Sequence, residues 1–273
     1  EALVAKANFN LRKDALILIK RAYLKEKNKR AKKALFWILE NAKIAKKENL
    51  AICQDTGFPL VFLEVGRDIN ISSKFIEKIK EGIIRGYKKN FLRASITIPF
   101  KNTTPFYGNG IIFVDFSSNT KGIKITIFPK GFGSESKTAL KIFEPTVSFK
   151  RIEDFVVETV KEAGPDACPP FFVGIGIGGT SDYALNLAKK ALLEPLNKFN
   201  SDKSIRILEK NLLKKLNSLK IGAFGFGGDS TVLAVKIKVS PTHIAGLPVG
   251  INLSCHALRS ATLRIKNLNE FVY

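Results

Sequence analysis

A chain of 273 residues with 45% apolar content can bury a sizeable core, and its longest apolar stretches, GIIFVDF at 110–116 and FFVGIGIGG at 171–179, are strand-sized, too short to span a membrane. The net charge of +21 invites a nucleic-acid partner. Against that, the lysines are spread along polar helix faces, and the densest cluster, KEKNKRAKK at 25–33, has no interleaved aromatics and no zinc-finger or RNP-like pattern. Neither nucleic acid nor membrane is an expected partner, whereas a small anionic substrate would benefit from the positive field.

In chain order, the N-terminus reads as amphipathic helix, not as a charged stub followed by an apolar block, so a cytoplasmic setting is expected. Apolar residues at helical spacing run from Leu16 to Tyr23 and again through Leu35, Ile38, Leu39 and Ala42, predicting a helical hairpin within a helical segment 1–50. The motif ICQDTGFP and a strand, LVFLEVG, follow. Ser72 or Ser73 caps a helix whose Ile76, Ile79, Ile83 and Tyr87 share a face. IIFVDF and IKITIF read as strands joined by the polar turn SSNTKG, a predicted hairpin. PKGFGSES is a glycine-bearing loop, RIEDFVVETVKEAG an amphipathic helix, PDACPP a loop and FFVGIGIGG a strand. Helices over 182–198 and 203–218 precede a β-rich tail of TVLAVKIKV, LPVGINLSC and ATLRI. Helices first, then a mixed sheet with flanking helices, predicts an α+β fold, taken as a single domain over 1–273 because no linker or repeat interrupts it.

Three cysteines are an odd number, and in a reducing compartment they argue against a disulfide framework. Cys53 in CQDTG, Cys168 in ACPP and Cys255 in SCH each lie beside a turn-former or polar group at a loop or strand end, where a sulfur can face a cleft. The simplest alternative is three small buried hydrophobes. If they share a metal site, three thiolates suit an iron–sulfur cubane with one iron left open, while zinc held by Cys and His competes. Both histidines of the chain flank Cys255 within its last 31 residues: His256 is adjacent, and His243 falls in a loop where it could carry a proton or bind an anion.

Gly174, Gly176 and Gly179 match G-x-G-x-x-G after a strand and before a helix, with Glu194 at about the dinucleotide-binding distance. A second helix follows, where that fold requires a parallel strand, so a nicotinamide site is set aside. The glycines are instead expected to let backbone amides at the helix start approach an anion.

Taken together, ICQDTG, PKGFGSE, ACPPFFVGIGIGGT and PTHIAGLPVGINLSCHALR occur in this order in class I fumarases and L(+)-tartrate dehydratases, and from about Ala31 onward the chain resembles that family. It resembles the part that is an N-terminal domain in some members and a separate α subunit in others. The resemblance implies a [4Fe–4S] cluster on Cys53, Cys168 and Cys255 with one iron lacking a protein ligand. It implies Asp55 and His243 as catalytic groups, and Gln54, Arg93 and Gly133 as contacts to a small dicarboxylate substrate. It also implies a fumarase β subunit as partner, and interconversion of (S)-malate with fumarate plus water as in the tricarboxylic acid cycle. L(+)-tartrate dehydration is the alternative, and a non-catalytic iron–sulfur scaffold or a basic RNA-binding subunit are readings of other classes. PKGFGSE and GIGGT stand closer to fumarases. Phe132 replaces a glycine common in the family, which would strain the backbone if φ were positive there.

Overall fold

The computed structural model describes residues 1–266. The fold is α+β, and the chain forms two compact units. The first comprises residues 1–12, 42–132 and 259 onward; the second comprises 13–41 and 133–258. None of the helices among the described residues is long and apolar enough to cross a membrane.

The first unit holds α1 (Ala2–Phe9), β1 (Phe58–Gly66), α4 (Ser73–Lys89), β2 (Ile111–Ser117), β3 (Ile123–Lys130) and β8 (Ala261–Ile265). Ser72 caps α4, its hydroxyl accepting from the Phe75 N–H at 3.2 Å. The four strands order β2-β1-β3-β8, with β2 parallel to β1 and the other pairs antiparallel. The predicted β2–β3 hairpin therefore does not form. Apolar β1, buried along almost its whole length, takes the central place, while half-exposed β2 with Asp115 goes to the edge. The link between β2 and β3 crosses the end of β1, where the Gly66 N–H donates to the Gly122 carbonyl at 2.8 Å. On one sheet face Val61, Leu63 and Val65 join Ile123, Ile125 and Ile127 at period two, and Val4 and Ala7 of α1 and Ile83 and Tyr87 of α4 cover them.

In the second unit lie α2 (Lys13–Lys25), α5 (Phe132–Glu135) apart from its first residue, β4 (Ala139–Phe143), α6 (Phe149–Ala163), β5 (Phe171–Gly179), α7 (Ser181–Leu193), α8 (Lys203–Asn217), β6 (Val232–Thr242) and β7 (Leu247–Ser254). Helix α3 (Lys29–Glu48) runs through the boundary at 41/42, and three residues separate it from α2. The sheet order is β4-β7-β5-β6. Val173, Ile175 and Ile177 of β5 face Ile152, Val156 and Val160 of α6 and Leu208, Leu212 and Leu216 of α8. Helix α7 ends earlier than predicted because Pro195 disfavours a helical Glu194, whose ψ is 156°.

After α8 the chain does return as β6, parallel to β5 and directly beside it, so the glycine motif sits in a parallel crossover after all. Its glycines nevertheless do another job. A Cβ on Gly174 would stand 2.1 Å from the Ala188 carbonyl oxygen, and one on Gly176 would stand 2.0 Å from that of Ala184. Bare backbone lets α7 lie against the strand, which leaves those two glycines facing a helix and corrects the expectation that they open an anion site.

Gly176→Ala should therefore lower stability by roughly 1–3 kcal/mol or more, the cost of overpacking against backbone that cannot move aside. Gly82→Ala in α4, where a Cβ would meet nothing closer than 3.8 Å, should be neutral or stabilising by up to about 1 kcal/mol. Denaturation midpoints of the two variants check the contrast.

Candidate active site

The turn before β1 carries CQDTG, and its register across the sheet pairs Phe58 with Lys130 and Pro59 with Pro129. That places the PKGF segment opposite the DTG turn. Asp55 uses both carboxylate oxygens: Oδ1 accepts from the Gly57 N–H at 2.9 Å and Oδ2 from the Phe132 N–H at 2.7 Å. Phe132 is not among the residues with positive φ. It opens α5 and its free N–H serves Asp55, so the replaced glycine brings no left-handed strain. Gly57 does need to be glycine, since its φ is +81° and a Cβ would reach 2.8 Å from the Pro129 backbone.

The turn's carbonyls are held from below. The Arg259 guanidinium donates through Nη2 to the Asp55 carbonyl. The Tyr87 hydroxyl lies within hydrogen-bond distance of the Thr56 carbonyl at 3.1 Å and of the Gly57 carbonyl at 3.0 Å. Buried Thr56 accepts the Arg93 backbone N–H on Oγ1 at 3.1 Å. Arg93 itself is exposed. The Cys53 thiol donates to the Gln54 Oε1 at 3.3 Å. Cys53, Gln54 and Asp55 thus share one turn of the first unit, and the backbone of Arg93 is tied to the same turn at Thr56.

In the second unit, Cys168 follows a short 3-10 turn, Gly164–Ala167, and lies in the left-handed region with φ 54°. Because Phe172 of β5 pairs with Ser254 of β7, Cys168 and Cys255 flank the same end of the sheet. His256 ties them: its backbone N–H at 3.3 Å and its Nδ1 at 3.1 Å both donate to the Cys168 carbonyl, so Nδ1 carries the proton. Gly133 approaches this region: a Cβ built on it would stand 3.9 Å from the Asp166 carbonyl oxygen of the same 3-10 turn. Glu135, two residues on, anchors that loop by accepting from the Asn252 Nδ2 at 2.8 Å and pairing with Lys189.

His243 lies elsewhere. It follows the end of β6, where Thr242 pairs with Gly179 at the far end of β5. Eight strand steps, roughly 26 Å at about 3.3 Å per residue, separate that end from the Cys168 end. Its Nδ1 accepts from the Ala245 N–H at 3.1 Å, which leaves the ring proton on Nε2.

None of the three cysteines is in a disulfide and none is fully buried, and a set of three thiol donors suits an iron–sulfur cluster with one iron open. Among the described residues no group of three or more His, Cys, Asp or Glu side chains stands together as a metal site. Sequence reading missed Tyr87, Thr56 and Arg259 as holders of the turn, and the His256 tie. Arg259 gave one signal, a cation closing the motif SCHALR directly before an apolar strand.

The arrangement, a carboxylate fixed by backbone N–H groups in the turn that also carries a cysteine, with the backbone of an exposed arginine tied to that turn, is one that water-adding and water-removing enzymes can use. The chain matches the fumarate hydratase (Fumerase) family over residues 1–264 and belongs to that family, one of hydro-lyases. It is 44% identical to a Methanocaldococcus jannaschii protein provisionally named L(+)-tartrate dehydratase subunit alpha, over 97% of this chain and 95% of the relative. It is 28% identical to L(+)-tartrate dehydratase subunit alpha of Escherichia coli K12, over 84% of this chain and 77% of that one. A Geobacillus stearothermophilus protein provisionally named class I fumarate hydratase is 29% identical over 99% of this chain, which spans only 55% of that relative.

Burial, opposed by the nearby Arg259 charge, pushes the Tyr87 hydroxyl up to about 12 from its usual 10. A folded-state value above the unfolded one favours the fold below pH 10, and that contribution is lost as pH rises through about 12, because the unfolded chain releases the proton first. Between pH 10 and 12 the wild type should lose about 2–3 kcal/mol more stability than Tyr87→Phe. Denaturation of both proteins across that range measures the difference.

Proposed function

We propose that this chain is the α subunit of a two-subunit [4Fe–4S] hydro-lyase that interconverts (S)-malate with fumarate and water. The observation that carries the reading is the Asp55 carboxylate, locked by two backbone N–H groups and two residues along the chain from Cys53. Cys53, Cys168 and Cys255 would hold the cluster, which when bound supplies a Lewis-acidic iron that polarises a substrate hydroxyl.

The chain's own residues do the rest. Each Asp55 oxygen accepts one N–H and keeps a lone pair, so the carboxylate can take the C3 proton of malate without leaving its place. The Arg93 fork, with its backbone tied to Thr56, suits a substrate carboxylate in bidentate geometry. The Gln54 amide, one residue from the cluster thiol, can turn to hydrogen-bond the substrate. Gly133, with no side chain, lets its backbone come close to it. His243, at the end of its sheet opposite Cys168, is kept in the proposal as a group able to carry a proton or bind an anion. Three cysteines in no disulfide fit a cytoplasmic, reducing setting.

Support for a separate β subunit comes from relatives named as alpha subunits. L(+)-tartrate is the second substrate reading, favoured by the names of the Methanocaldococcus and Escherichia relatives. The chain, reconstituted with iron and sulfide without oxygen and assayed with and without the partner, should dehydrate malate faster than tartrate only when the partner is present. Faster tartrate turnover would reverse the substrate assignment, and full turnover by the chain alone would remove the β subunit.

Arg93→Lys should leave the cluster's visible spectrum unchanged and lower kcat/KM roughly tenfold to a hundredfold, the loss of one charge-assisted bidentate pair. Unchanged kinetics would take Arg93 out of the site. Replacing any one cysteine of the three by Ser should prevent stable cluster assembly, read as iron content after reconstitution.

A further inference from the structure

Arg259 is a buried cation with an incomplete set of partners. It is 3% exposed, its Nη2 donates to the Asp55 carbonyl, and its Nη1 is buried with no hydrogen-bond partner among the described residues. Burying a guanidinium costs several kcal/mol unless it is paired. If the need were only to satisfy one carbonyl, a neutral amide or hydroxyl would meet it without burying charge. What the charge adds must be electrostatic, and the Asp55 carboxylate is beside it. A Cβ built on Gly131 would stand 3.2 Å from Asp55 Oδ2 and 3.9 Å from Arg259 Nη2, so one small gap, kept open by a glycine, borders both groups. Arg259 and Tyr87 are both buried, and each reaches a carbonyl of the turn that carries Asp55.

We propose that Arg259 is a positioning residue for the hydro-lyase reaction, holding the 55–57 turn by its carbonyl and by attraction so that both Asp55 oxygens stay seated on the Gly57 and Phe132 N–H groups. It acts through Asp55 and touches no substrate, since its guanidinium is buried in the first unit. Without it the turn keeps the two Tyr87 contacts but loses the one at Asp55 itself. The carboxylate can then swing on its own backbone, and displacement of a reacting group by about 1 Å costs on the order of 10²-fold in rate.

The inference rests on the function proposed above, and its test has one arm that does not. In the cluster-loaded holoenzyme, Arg259→Met keeps the stem and removes charge and donor, Arg259→Gln keeps a neutral donor, and Arg259→Lys keeps the charge. All three should fold by circular dichroism and hold wild-type iron. Met and Gln should lower kcat about a hundredfold with KM within about twofold, and Lys should recover about tenfold of that loss. Independently of turnover, hydrogen exchange at the Gly57 and Phe132 amides should quicken at least tenfold in Arg259→Met while exchange in β5 and β7 stays unchanged. A raised KM with normal kcat, equal loss in Lys and Met, unfolding of all three variants, or exchange that is unchanged at those amides or quickened everywhere, would each overturn the proposal. If the wild type turns over neither malate nor tartrate, the functional reading fails, and the exchange arm alone decides whether Arg259 fixes Asp55.

Discussion

A carboxylate can serve as a base in a defined place only if its backbone has no alternative conformation, and in this chain that condition is met by hydrogen bonds to the 55–57 turn. Side-chain oxygens and main-chain carbonyls are both engaged: two amides seat the Asp55 carboxylate, and Tyr87 and Arg259 hold the three carbonyls beneath it. Each bond alone is worth about 1 kcal/mol. Together they make the turn's geometry a property of α4, β3 and the segment entering β8, so the first unit's sheet serves as the mount of one side chain. Gly57 belongs to the same device, because only a residue without Cβ passes so close to the Pro129–Lys130 backbone.

The second unit solves a comparable problem by different means. Its central strand carries branched apolar residues toward α6 and α8 and glycines toward α7. A strand so tightly covered on both faces is stiff. The residues that leave its end beside β7, Cys168 and Cys255 with the His256 tie, inherit that stiffness although they lie in loops. Glu135 extends the scheme to the loop that carries Gly133, through Asn252 on β7 and Lys189 on α7.

Local signals in the sequence carried well into the structure. The α+β class, the amphipathic α4, α6 and α8, the Ser72 cap and the β5 and β7 strands follow from periodicity and capping chemistry. What stayed hidden depends on pairing across long separations. Nothing within IIFVDFSSNTKGIKITIF shows that β1 will insert between its two strands, because that choice depends on how the burial of β1 compares with that of β2. The boundaries between the units carry no linker composition because the chain passes from one to the other four times. The glycine triplet was ambiguous for the same reason: a bare backbone looks alike whether a phosphate or a helix comes close. At the site, CQDTG and SCH stood out as motifs, but Tyr87 reads as one more apolar position on a helix, and only its hydroxyl contacts in three dimensions reveal its second task.

The order in which these parts are synthesised has a consequence for assembly. Strand β8, which pairs with β3 across Ile123 and Ile265, is made long after β1, β2 and β3 have left the ribosome. Until then β3 presents an open edge of Ile, Thr and Phe, the kind of surface that draws other chains. Arg259 arrives in the same late stretch, 204 residues after the Asp55 it holds. The nascent chain therefore displays its cysteine-bearing turn before the residue that shapes it exists. A message cut just before that stretch would release a protein with most of its mass, an unprotected sheet edge and a carboxylate with no fixed address.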